Sequence, residues 1–136
     1  METGEVTRFE KGSVYSRERI HEALGGSRRS ALPTRGGQVV CACLTPERNP
    51  RAPVEMLVPG RDRAVRLARA FAASGRAVPV FVRARAGSWE YAGMRRVRSL
   101  VEEPGALLAL VAEGAPADTS LALLLEEVAS GPEPLG

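Results

Sequence analysis

The sequence predicts an α+β domain: a small curled sheet or partly closed β-barrel with two inserted helices and a C-terminal helical segment. Three observations carry this. Short apolar runs bounded by Gly and Pro read as strands at residues 38–44, 77–85 and 89–93. Two segments with helical spacing, 17–24 and 61–74, fall between them. Beyond residue 100 the chain turns to Ala and Leu and carries no further Lys or Arg.

In chain order, residues 9–15 form an entry segment with a turn at Gly12. Ser16 suits the N-cap of a helix over 17–24, where Glu18 in the first turn meets the positive end of the dipole. Ile20, Ala23 and Leu24 make its apolar stripe, and Gly25-Gly26 ends it. Residues 27–37 (SRRSALPTRGG) are a basic, turn-rich loop. The run 38–44 (QVVCACL) reads as one buried strand, with Cys41 and Cys43 on the same face as two small buried hydrophobes. Residues 45–53 are a proline-marked loop, and 54–58 a weak strand ended by Pro59-Gly60.

The helix over 61–74 buries Val65, Ala68, Phe71 and Ala72, while Arg63, Arg66 and Arg69 line a separate stripe that reads as a solvated face. Pro79 lacks an N–H, so the strand over 77–85 is placed at an edge or begins there. Its hairpin partner follows at 89–93 and stays extended to 101. Pro104-Gly105 marks a boundary. Two helices are expected after it, over 106–113 and over 119–130. Asp118 is the expected N-cap of the second, and Leu121, Leu124, Leu125 and Val128 its apolar face. The domains are therefore 9–101, an α+β body, and 102–131, an acidic helical segment, with flexible ends at 1–8 and 132–136.

The chain has 136 residues, enough for one core. Its net charge of +3 conceals an asymmetry: residues 1–100 hold all 19 Lys and Arg against nine acidic residues, whereas 101–136 hold seven acidic residues and no basic one. A basic body with an acidic tail suits a polyanion partner or internal masking. No run approaches the length of a membrane span, and the polar N-terminus has no signal-like apolar stretch, so a cytoplasmic protein is expected. One His and one pair of Cys leave no zinc module, and Lys11 is the sole lysine, which removes the usual nuclease carboxylate–lysine arrangement. No catalytic residue, cofactor or metal is expected.

The order Phe9-x-x-Gly12-x-x-Tyr15-x-Arg17-x-x-Ile20-His21, then Gly25-Gly26, a basic loop and a strand, resembles the opening of SRA-like (YDG-type) modified-base-reading domains. These are of the kind fused to HNH restriction endonucleases. The later Val78-Pro79-Val80-Phe81-Val82-Arg83, Trp89-x-Tyr91-x-Gly93 and Arg96-Val97 are similar to their closing hairpin, and a tail domain on some restriction-type helicases has a comparable layout. The resemblance spans about residues 9–101. Asn49 to Asp62 departs from it in carrying no aromatic residue.

The resemblance implies a module that extrudes a DNA base into a ring-lined pocket and does no chemistry of its own. Tyr15, Trp89, Tyr91 and His21 are the implied base-binding residues. Trp89 and Tyr91, two apart on a strand, read either as a stacking platform or as rings packed under a helix. Tyr15 reads equally as a stacking ring or a hydrogen-bonded core residue. Arg17, Arg28, Arg29, Arg35, Arg83 and Arg96 are the candidate phosphate contacts, the loop arginines because guanidinium forks beside Gly-rich backbone suit phosphate. DNA is the expected partner, in a bacterial defence or modification-sensing system, with a nuclease or helicase as companion protein and a homodimer as a further expectation. The alternative is a protein-interaction adaptor that uses the hairpin and the C-terminal helix to bind a partner enzyme.

Overall fold

The computed structural model describes residues 9–129, so the flexible ends expected at 1–8 and 132–136 lie outside the described residues. β1 (Val14–Tyr15) leads directly into α1 (Arg17–Leu24). The Ser16 hydroxyl accepts the Arg19 N–H at 3.0 Å, the N-cap bond that the sequence predicts. The basic loop then reaches a small hairpin of β2 (Thr34–Arg35) and β3 (Gln38–Val39). Its turn residues Gly36 and Gly37 have φ of +59° and +81°, the two left-handed positions of a type I′ turn.

The run 38–44 is two strands rather than one. β3 stays in the hairpin, and β4 (Ala42–Leu44) joins the main sheet. The basic loop covers the outer edge of β4: Cys43 N–H donates to the Ala31 carbonyl and Val40 N–H to the Pro33 carbonyl, both at 2.9 Å.

β5 (Glu55–Pro59), α2 (Asp62–Ser74), β6 (Val78–Arg85), β7 (Ser88–Val101), α3 (Pro104–Ala112) and β8 (Thr119–Glu127) complete the chain. The sheet runs β4-β6-β7-β8-β5, with β1 also on β7. β4 is parallel to β6, and the other pairs are antiparallel. β7, 14 residues long, is the spine: β6 lies along one edge, and β1 and then β8 along the other. Register shifts in the β5–β8, β6–β7 and β7–β8 ladders bend the sheet, which remains open. Pro79 stands one residue before the β4 pairing starts at Val80, so its missing N–H costs that ladder no bond.

The second tail helix expected over 119–130 is the strand β8. Leu121, Ala122, Leu123 and Leu125 are all buried because β8 is an interior strand covered on both faces. A continuous Leu/Ala run matches a buried strand as well as a helix, and pairing with β5 and β7 overrides helix propensity. Asp118, expected as an N-cap, instead accepts from Arg48 at 2.7 Å. Of the helical segment expected over 102–131, residues 102–129 are described and are not a helical unit beside the body: α3 is followed by a strand that the body's sheet requires.

Alternation sends neighbouring residues to opposite faces of the sheet. Ala42, Leu44, Val78 and Val80 join Ala68 and Phe71 of α2 in the larger core, with Met56, Val58, Leu121 and Leu123. Cys41, Cys43, Phe81, Trp89 and Tyr91 form the second core against Ile20 of α1, with Phe9 and Tyr15 packed on it. Cys41 and Cys43 are buried free thiols on the same side, as predicted. No helix among the described residues is long and apolar enough to cross a membrane.

Candidate nucleic-acid interface

Arg17 organises the α1 end of the second core. Its Nε–H donates to His21 Nε2 at 2.9 Å, one helical turn on, and Nη2 donates to the carbonyls of Ser30 at 2.9 Å and Ser27 at 3.2 Å. His21 Nδ1 lies 2.7 Å from the Gly25 carbonyl oxygen. That oxygen only accepts and the Arg17 Nε only donates, so His21 carries its ring proton on Nδ1. The Arg17 guanidinium carbon sits 4.9 Å from the Trp89 ring centre, a cation–π contact.

Beside this cluster is a cavity of about 370 Å³, within the range of small-ligand sites. Arg17, Arg29, Arg48, Arg61 and Arg63 line it, Met56, Leu57 and Leu67 give it apolar surface, and Trp89 and Cys43 stand in its wall. Among the described residues, no Asp or Glu lines it. Arg29 comes from the basic loop, Arg48 from the loop after β4, and Arg61 and Arg63 from the start of α2, where Arg61 holds the N-cap position without a side-chain capping bond. Arg48 Nη2 donates to Asp118, and this bond pulls the Asp118 carboxyl below the usual carboxylate range. Arg48 Nε is buried without a hydrogen-bond partner among the described residues. Arg29, Arg61 and Arg63 form no ion pair with a described residue.

Of the six predicted phosphate contacts, Arg17 and Arg29 reach the cavity. Arg28 lies 3.7 Å from Glu18, Arg83 3.0 Å from Glu47 and Arg96 2.7 Å from Glu126, so their charge is compensated within the chain. Arg35 is placed along Gly25, away from the cavity. Sequence reasoning missed Arg48 and Arg61 and read Arg63 as solvated face. The available signal was the position of Arg61 and Arg63 just after the Pro59-Gly60 break, where a strand hands over to a helix.

The predicted base-binding rings separate. Trp89 alone lines the arginine cavity. Tyr91 packs on Phe81 at 5.4 Å and Tyr15 edge-on to Phe9 at 5.0 Å, and the Tyr15 hydroxyl accepts the Glu10 N–H at 2.8 Å. Trp89 and Tyr91 share a face but form no open platform, because α1 and the entry segment cover it. Both nitrogens of His21 are engaged, so it orients Arg17 rather than facing a ligand. Tyr91 also borders a second hollow with Lys11, Glu90 and Arg95, whose charges are mixed. Burial, then Glu127 and Tyr15, push its phenol above the ordinary value. The Cys41 thiol is pushed up by its hydrogen bond to Cys43 and by burial.

The chain has the fold of an SRA domain. It superposes on the crystal structure of the SUVH5 SRA–hemimethylated CG DNA complex with a TM-score of 0.59, over 92% of this chain and 92% of that one, at 13% sequence identity. By sequence it belongs to the family described as Domain of unknown function (DUF6697), which matches residues 14–104. No curated protein matches it in sequence.

Proposed function

We propose that the protein is a DNA-binding module that receives a modified or unpaired nucleotide in the arginine-lined cavity and performs no chemistry on it. The observation that carries this reading is that, among the described residues, five arginines and no carboxylate line a cavity walled by Trp89, in a fold shared with a domain solved on hemimethylated CG DNA. Arg29, Arg61 and Arg63 hold anionic oxygens of that nucleotide, which costs no existing ion pair among the described residues. The extruded base lies against the Arg17 guanidinium, a plane that stacks on bases as aromatic rings do. Tyr15, Tyr91 and His21 act from behind, by fixing Trp89 and Arg17. Extrusion costs a few kcal/mol, which these contacts return. Such a reader serves a cytoplasmic defence or modification-sensing system by bringing a nuclease or helicase partner to its site.

Band shifts on plain, methylated and glucosylated duplexes across a salt series test this. With three to five phosphate contacts, log K falls against log salt with a slope of roughly −2.7 to −4.5. Equal, weak and salt-insensitive binding to all three duplexes overturns the reading. A second reading, a protein-interaction adaptor, draws on α3: none of its residues is buried, and Leu108 is 70% exposed. Salt-insensitive DNA binding together with a partner enzyme lost on Leu108→Ser favours it.

A further inference from the structure

The charged groups that line the cavity among the described residues are all donors. Asn49 has both ends engaged: Nδ2 donates to the Thr45 carbonyl at 3.1 Å, and Oδ1 accepts the Leu57 N–H at 2.7 Å. Ser30 Oγ accepts the Leu32 N–H at 3.1 Å. Among the described residues, what remains is the Thr45 hydroxyl, which can donate or accept, together with the guanidinium groups of Arg29, Arg61 and Arg63 and the unpartnered, buried Nε of Arg48. A cytosine-type edge presents an amino group that needs an acceptor, and acidic side chains are the usual ones. None lines this cavity among the described residues. A carboxylate or phosphate, by contrast, pairs with guanidinium forks through two charge-assisted hydrogen bonds at once. The neutral methyl of a methylated base uses none of these donors.

We propose that the ligand of this cavity is a nucleotide ring that brings an oxyanion with it: a base bearing a carboxylate, or a nucleoside bearing a terminal phosphate. The inference rests on the nucleotide-binding reading above and deepens it. The ring packs beside Trp89 and Arg17, and the oxyanion is held by Arg61 and Arg63 at the start of α2, with Arg29 and Arg48 opposite. The oxyanion also gives the Arg48 Nε the acceptor it lacks.

Trp89 is the only tryptophan of the chain and stands in the cavity wall, so its fluorescence reports occupancy directly. The full chain is titrated with matched duplexes containing one cytosine, one 5-methylcytosine or one 5-carboxylcytosine, and separately with deoxycytidine and deoxycytidine 5′-monophosphate. The expected result is roughly tenfold or tighter binding of the oxyanion-bearing member of at least one set, the strength of one or two charged hydrogen bonds. The double variant Arg61→Gln/Arg63→Gln removes that preference. Arg66→Gln, on the same helix but away from the cavity, keeps it; all three positions are exposed, so the fold survives.

Preference among the duplexes identifies a carboxylated base, and preference for the monophosphate alone identifies a terminal phosphate. Duplex binding with no oxyanion preference in either set overturns this inference and leaves DNA binding intact. Monophosphate binding without duplex binding keeps the inference and overturns the DNA reading. Binding of neither, or a preference that survives the double variant, overturns the inference.

Discussion

The Arg17 guanidinium lies over the Trp89 indole at 4.9 Å while its nitrogens donate to His21, Ser27 and Ser30. One side chain thus joins α1, the basic loop and β7 at the cavity wall. Arg17→Met keeps the aliphatic bulk and loses these polar contacts. It is expected to lower stability by about 2–4 kcal/mol. Denaturant unfolding measures the loss, and a shifted Trp89 emission places it at this contact. Arg17→Lys recovers only part, because a single ammonium cannot reach all three partners.

Gly93 has φ +97°, and a Cβ built there lies 2.7 Å from Glu127 Oε2. Gly93→Ala therefore meets both a left-handed backbone and an occupied space. An expected cost of about 1–3 kcal/mol appears in equilibrium unfolding. Adding Glu127→Ala clears the space but leaves the backbone, so the double variant regains only part of the loss.

Leu123 is fully buried in β8, opposite Met56 of β5 and Leu100 of β7. Leu123→Ala is expected to cost about 2–5 kcal/mol by the cavity it leaves. A chain ending at residue 101 lacks this strand altogether. It is expected to show no cooperative unfolding transition by circular dichroism.

Asp118 is held below the ordinary carboxylate range chiefly by its hydrogen bond from Arg48, and Glu127 by that from Lys11. In both, the folded-state value is the lower one, so the stability they add is present above the unfolded-state value. It is lost as pH falls through the folded one. Both groups are solvent-exposed, so the effect is small and salt-sensitive. Asp118→Asn is expected to flatten the acid limb of the stability–pH curve below about pH 4, measured by urea midpoints at low and high salt.

The elements with local signals were legible in the sequence. Ser16 and Gly25-Gly26 bracket α1, Gly75 closes α2 with φ +64°, and the Gly87 turn joins β6 to β7. Two features were not, for physical reasons. Leu121 to Leu125 carries no period that separates a helix from a strand buried on both faces. The charge pattern misled because compensation is non-local: Arg83 meets Glu47 36 residues away, and Arg96 meets Glu126 30 residues away. Arg48, Arg61 and Arg63 became distinct only once the fold showed them around one cavity that no carboxylate of the described residues lines.

Synthesis of this chain leaves a gap until late. β5 and β7 emerge from the ribosome well before the strand that fits between them, and Glu55 waits for Leu124 as its partner. Until residue 127 clears the exit tunnel, the two strand edges that β8 fills stay unpaired and can zip to the wrong neighbour. A translational pause ahead of Thr119 prolongs that exposure, so soluble yield falls as the pause lengthens.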